Sequence, residues 1–283
     1  MVATVDHEGR RTVSGRGLKA IMDFAVGSHP RAVALLLMVA LLSFLPGFFS
    51  IPPIDRDEAR FAQATKQMVE SGDYIDIRFQ DEVRYKKPVG IYWLQGAVVK
   101  VARALGFERA LTTIWLYRVP SLLGAIGAVL LTYWAALAFV TRRAALLAAL
   151  MMASSILLGV EARLAKTDAM LLFTSVVAMG AMARTYLASR RAPDAPQGWR
   201  WPVILWTALA AGVLVKGPLV LMFVALTALT LSIADRSWRW ILKMRPLIGF
   251  AWLLLLVSPL QRAETVASPR PTIPSSVWTL TIT

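Results

Sequence analysis

Residues Ile51 to Trp93 read IPPIDRDEARFAQATKQMVESGDYIDIRFQDEVRYKKPVGIYW, a polar island in a chain of 283 residues that is 57% hydrophobic. The island carries Asp55, Asp57, Glu58, Arg60, Lys86 and Lys87, and apolar runs near the ~20-residue length of a bilayer-spanning helix lie on both sides of it. Inside lipid a segment must satisfy its own backbone hydrogen bonds, which a helix does. The expected fold class is therefore an all-α polytopic membrane protein. About seven transmembrane helices are expected, with an amphipathic, helical first outer loop over 51–117.

Outward from the island, Ala32 to Phe49 reads as the first span, entering the loop at Ile51-Pro52-Pro53. Within the loop, Phe61, Ala64, Met68 and Val69 recur at helical spacing, so a helix is expected from Asp57 to Glu70, ended by Ser71-Gly72-Asp73. Gly90 to Leu105 opens on Tyr92 and Trp93 and carries Lys100 and Arg103 late, the pattern of a helix lying in the membrane interface. Further spans are expected over 119–140, 144–160, 169–188, 199–215, 218–234 and 247–260. Residues 1–31 read as an irregular basic tail in which nothing pairs His7 or His29, and residues 261–283, rich in Ser, Thr and Pro, as a disordered or aberrant tail. The domain proper is 32–260.

The formal charge of +14 would suggest nucleic acid in a soluble protein, but its placement points elsewhere. Counting sides from the first span puts the basic tail, Arg142-Arg143, Arg190-Arg191, Arg200, Arg236, Arg239, Lys243 and Arg245 together, opposite the large loop. The positive-inside rule makes that side cytoplasmic, so the charge records topology and no nucleic-acid partner is expected. The absence of cysteine removes disulfides and thiolate metal sites.

The other face gathers the unusual ionisable residues: the large loop, Glu161 to Asp168 between two spans, and Lys216-Gly217-Pro218 between two more. Each has a structural reading. Lys216 and Arg163 can be solvated helix ends, and Thr167 or Asp168 can cap the helix that follows. Taken together, cations at headgroup depth suit a lipid-linked phosphate, which they can hold as it forms and departs, and Asp57 and Glu58 suit a general base or a group orienting a hydroxyl. A glycine-rich nucleotide loop is not found in the sequence. A transporter would instead place its charges inside broken spans.

The run Asp57-Glu58-Ala59-Arg60-Phe61-Ala62, then Met68, Ser71-Gly72-Asp73-Tyr74, Lys87-Pro88 and Tyr92-Trp93, resembles the first outer loop of bacterial polyprenyl-phosphate-sugar glycosyltransferases. That group of the membrane GT-C superfamily includes the lipid A aminoarabinose transferases and is akin to the protein O-mannosyltransferases. Arg163 through Asp168 and Lys216-Gly217 resemble its later motifs, and the likeness covers roughly Leu45 to Pro259. It implies Asp57 as the catalytic loop aspartate, with Glu58 beside it, and Asp168 as an outer carboxylate near the sugar. It also implies that Arg60 and Lys87 handle a donor or acceptor phosphate; Lys86, Arg163, Lys216 and Tyr92 are the further candidates for binding substrate or phosphate. The implied donor is an undecaprenyl-phosphate-linked sugar, transferred with inversion to a lipid A-like or other envelope acceptor at the outer face of the bacterial inner membrane.

Two departures stand out. The residue before Lys-Pro is commonly glutamate in the aminoarabinose branch, a potential metal ligand, and here it is Lys86. No metal is expected through that position, and no cofactor is otherwise implied. Members of the group also continue well past the seventh helix. The competing expectation is therefore a non-catalytic fragment that binds a lipid phosphate without turning it over.

Overall fold

A computed structural model describes residue 17 and residues 19–83, 88–192, 194–196 and 198–267; Lys86 and Lys87 lie outside the described residues. The first helix covers 19–26 (α1), inside the segment expected to be an irregular tail, and buries Met22 and Ala25 against the next elements. Then follow α2 (His29–Phe44), α3 (Arg56–Ser71), a hairpin of β1 (Arg78–Phe79) and β2 (Glu82–Val83), and α4 (Gly90–Ala104). The remainder is α5 (Ile114–Ala136), α6 (Arg142–Ala153), α7 (Ile156–Glu161), α8 (Asp168–Arg191), α9 (Arg200–Lys216), α10 (Leu219–Ala234), α11 (Arg239–Lys243) and α12 (Pro246–Ala267).

Among the described residues two helices, α5 with 23 residues and α8 with 24, have the length and apolar composition to cross a membrane. At 1.5 Å per residue each reaches about 35 Å. The apolar helices α2 and α10 are shorter, at 16 residues each. Expected boundaries move in instructive ways. The span placed at 119–140 begins at Ile114, which draws Arg118 into a helix. The span placed at 144–160 is two helices, because Ser155 leaves helical geometry and its hydroxyl accepts from the Leu158 N–H to cap α7. The last helix runs on to Ala267, past the boundary at 260.

Helix α5 packs along α8, and α8 along α9. Small residues let these backbones approach, as they do when lipid removes the hydrophobic drive between helices. A side chain on Gly124 would come within 3.0 Å of the Ala169–Met170 backbone, and Gly180 receives the ring of Trp134. His29, expected to lack a partner, instead sits 2.9 Å by Nδ1 from the Tyr133 hydroxyl of α5.

The outer loop forms a layer of its own. Asp55 caps α3 by accepting the Asp57 N–H at 2.7 Å, Asp57 and Glu58 fill the acidic first turn, and Gly72 closes the helix at φ 75. The buried face of α3 presents Phe61, Ala64, Met68 and Val69, matching the expected stripe, to α4 and Ile77. Gln67 ties the hairpin to α3, accepting the Gln80 N–H at 2.8 Å and donating to the Gln80 carbonyl. The start of α4 lies on α9, with Gly90 against Leu214.

Candidate functional site

The site is built at the end of the bundle where α2 and α7 finish and α3, α5 and α8 begin. Its foundation is a buried ion pair. Arg118 and Glu58 both have fully buried side chains, and the guanidinium donates from Nε to Glu58 Oε1 at 2.7 Å and from Nη2 to Oε2 at 3.3 Å. It also donates to the carbonyls of Phe48, Ile51 and Pro52, and Glu58 Oε1 accepts the Ala165 N–H at 3.1 Å. Four separate segments, the exit of α2, the start of α3, α5 and the loop before α8, are thus registered on one pair. A buried charge pair can be held only when its remaining hydrogen-bonding capacity is met in this way.

Upon this foundation stand the accessible charges. Lys166 pairs with Asp55, and Lys216, at the end of α9, pairs with Asp168, the first residue of α8. Asp168 and Lys216 are therefore brought together. Asp57 is half-exposed at the N-terminus of α3 with Arg60 at 3.7 Å. Glu161, at the end of α7, lies among these groups with its Oε2 buried and without a hydrogen-bond partner.

The electrostatics follow from that crowding. The Lys166 ammonium and the Asp57 N–H hold the Asp55 carboxyl below the usual carboxylate range. Burial pulls the Lys166 ammonium down, but Asp55, Glu161 and Asp168 outweigh it and raise the group above its ordinary value. Burial, with Asp168 next, pushes the Glu161 carboxyl up. Asp55, Glu161, Lys166, Asp168 and Lys216 thus form one interacting cluster.

Of the expected set, Asp168 and Lys216 belong to it, Asp57 and Arg60 form a separate exposed pair, and Glu58, Arg163 and Tyr92 are engaged elsewhere. Glu58 was expected beside Asp57 as a catalytic carboxylate, but it is wholly buried and both its oxygens are engaged, so neither substrate nor water reaches it. Arg163 was expected to bind phosphate, yet its Nε donates to the Pro46 carbonyl at 2.7 Å and its other nitrogens to the carbonyls of Gly159 and Ser43. It fastens the end of α2 to α7. Tyr92 was expected to contact substrate, but it is fully buried, packed 5.5 Å from the Phe61 ring centroid. Conversely, Arg118 and Lys166 emerge as site builders that sequence reasoning passed over. Arg118 opens an apolar run as an isolated cation, and an ionisable residue in such a place demands a partner.

Among the described residues no three His, Asp or Glu side chains converge as a metal site. The arrangement can hold an anion between lysines that exchange their carboxylate partners for it, and it offers Asp57 as an exposed proton acceptor.

Residues 103–259, more than half of the chain, match the profile of the dolichyl-phosphate-mannose-protein mannosyltransferase (PMT) family. The chain belongs to the PMT family of the GT-C superfamily. Among relatives of this PMT-family chain, an uncharacterized protein of Aquifex aeolicus is 29% identical over 232 residues, 79% of this chain and 48% of that protein. The undecaprenyl phosphate-alpha-4-amino-4-deoxy-L-arabinose arabinosyl transferase of Pseudomonas aeruginosa is 29% identical over 226 residues, 76% of this chain and 38% of that one. In fold it is similar to ArnT from Cupriavidus metallidurans bound to undecaprenyl phosphate, with a TM-score of 0.71 at 21% identity over 84% of this chain and 42% of that one. The apo form of that protein also gives 0.71, over 89% and 44%. The chain spans less than half the length of each of these proteins.

Proposed function

We propose that this chain carries the donor-phosphate half of a membrane glycosyltransferase, which moves a sugar from a polyprenyl-phosphate donor to a lipid A-like or other envelope acceptor. In this reading the bundle sits in the bacterial inner membrane with about seven crossings. The loop 51–117 faces outward, and the basic ends at Arg142, Arg143, Arg190 and Arg239 face the cytoplasm. Membership of the PMT family supports the reaction class, and the fold shared with ArnT supports the architecture.

The single observation that carries the reading is the meeting of Lys166–Asp55 and Lys216–Asp168 at the end of the bundle where Asp57 stands exposed. The acceptor hydroxyl oxygen attacks the anomeric carbon as the bond from that carbon to the phosphate oxygen breaks. The hydroxyl proton passes to the Asp57 carboxylate, and polyprenyl phosphate leaves with its charge held by Lys216, Arg60, Lys86 and Lys87. Asp168 orients the sugar while keeping Lys216 in place. Where the acceptor is itself a phosphate, no base is needed.

The test is a transfer assay in proteoliposomes with a polyprenyl-phosphate-linked sugar, comparing the chain with Asp57→Asn and Lys216→Ala. Each variant is expected to lose ~10² to 10³ in rate, the cost of removing one well-placed charge. Near-parental turnover by both would refute the assignment. A second reading is binding of the lipid phosphate without transfer, since a shared fold does not by itself carry a shared reaction. It predicts that the chain retains polyprenyl phosphate, with loss of retention in Lys216→Ala, but never releases product.

A further inference from the structure

Two adjoining recesses run along α8, one from Asp168 towards Tyr186 and the other beyond it, at the end of the bundle away from the site. One is an apolar cleft of about 740 Å³ between α5, α8 and α10, lined by residues such as Leu172, Val176, Met179, Phe223 and Leu231. The other is a polar pocket of about 340 Å³ lined by Arg190, Asp194, Asp235, Arg239, Trp240 and Lys243. They share Tyr186, and the cleft's last α10 residue, Leu231, lies one turn before Asp235. A polar chamber between α8 and α11 therefore adjoins the apolar one at Tyr186.

The charges decide which molecule fits. Asp235 is already matched, accepting from the Tyr186 hydroxyl and, at 3.0 Å, from Arg190. Arg190 also donates to the Tyr186 hydroxyl at 3.1 Å, while Trp240 meets the Tyr186 ring edge-on at 5.1 Å. Three cations, Arg190, Arg239, which is exposed, and Lys243, which donates to the carbonyls of Ala192 and Ala195 at 3.4 Å, thus line the pocket with two acids, Asp194 and Asp235. The pocket is cationic beside an apolar cleft, whereas the cleft's other end holds Asp168, already paired with Lys216. An amphiphile with one anionic end is oriented by this difference, its charge towards Arg239 and Lys243. Basic pockets between membrane helices on this side recognise anionic headgroups.

We infer that this face holds an anionic glycerophospholipid, with its phosphate against Arg190, Arg239 and Lys243 and an acyl chain in the cleft between α5, α8 and α10. The inference rests on the membrane placement of the reading above and not on sugar transfer. A lipid seated there fills a gap between α8 and α10 that protein side chains leave open, and so couples the stability of the bundle to leaflet composition.

The test reconstitutes the full chain in nanodiscs containing equal amounts of phosphatidylglycerol and phosphatidylcholine and counts the lipids retained on gentle release by native mass spectrometry. Phosphatidylglycerol should be retained preferentially. The double variant Arg239→Gln/Lys243→Gln should lose that preference by roughly tenfold. Arg143→Gln, which removes a charge from the same face away from the cleft, should keep it. Val176→Trp, which fills the cleft, should lower retention of both lipids. Equal retention of the two lipids by the parent chain, or a preference untouched by the double variant, would overturn the headgroup site. Unchanged retention in Val176→Trp would overturn the acyl-chain placement. Selective retention without sugar transfer would count against the transferase reading alone.

Discussion

The Nε of Arg118 lies 2.7 Å from Glu58 Oε1, with both side chains wholly shielded from solvent. The pair joins helix α5 to the first turn of α3, and through the carbonyls of Phe48, Ile51 and Pro52 it also fixes how the chain leaves α2. Arg118→Ala strands the Glu58 carboxylate in a dry site together with three carbonyls. A loss of about 3–5 kcal/mol is expected, the usual effect of breaking a buried pair by removing one partner. Thermal unfolding of the purified chain in detergent checks it; a midpoint within error of the parent would show that the pair does not organise the loop.

Asp57 and Arg163 should part company when function and stability are measured side by side. Asp57 is half-exposed and its pairing with Arg60 at 3.7 Å is a surface contact, worth little to folding. Asp57→Asn is therefore expected to leave the unfolding midpoint unchanged while transfer falls by ~10² to 10³. Arg163→Ala removes three bonds to backbone carbonyls and should lower the midpoint while leaving the apparent affinity for polyprenyl phosphate intact. The opposite pattern, with Arg163 controlling affinity, would return it to the binding set.

Why the sequence disclosed some of this and hid the rest can be traced to particular residues. The stripe Phe61, Ala64, Met68, Val69 has helical period and a glycine stop, local signals that survive in any tertiary context, and α3 ends within a residue of its expected limits. Glu58 and Asp57 are adjacent acids on one turn, and nothing local says which faces inward. That is settled by Arg118, sixty positions away. Tyr92 likewise reads as an interfacial aromatic until α3 is laid over it. The break at Ser154–Ser155 was invisible to hydropathy because both flanks are apolar, and it is a side-chain cap that ends one helix and starts the next. Short-range periodicity is written in the chain, while the partner of a lone charge is written only in the fold.

Glu161 offers a test with a definite sign. Its carboxyl is pushed up by burial and by Asp168, so the folded protein binds its proton more tightly than the unfolded chain. Stability then falls as pH rises from the ordinary glutamate value of about 4.3 through the raised folded value, and at neutral pH the charged side chain is a cost. Glu161→Gln should unfold at a higher temperature than the parent at pH 7, and the difference should shrink towards zero below about pH 4. Unfolding scans across that range decide it; a gap that is constant with pH would mean the carboxylate is not the source of the cost.

The junction of α4 with α9 provides the remaining prediction. A β-carbon on Gly90 would lie 2.5 Å from the Leu214 carbonyl oxygen and 2.8 Å from its carbon, both backbone atoms that cannot swing aside as a side chain can. Gly90→Ala must push the start of α4 away from α9, an overpacking that typically costs about 1–3 kcal/mol. Because Lys216 ends α9, the same displacement should disturb the proposed phosphate site and reduce transfer more than the lost stability explains. Gly198→Ala, with nothing within 4 Å of the added carbon, is the matched control and should be silent in both measurements. Were Gly90→Ala to be as stable and as active as Gly198→Ala, the loop would have to reach its place over the bundle by some contact other than α4 on α9.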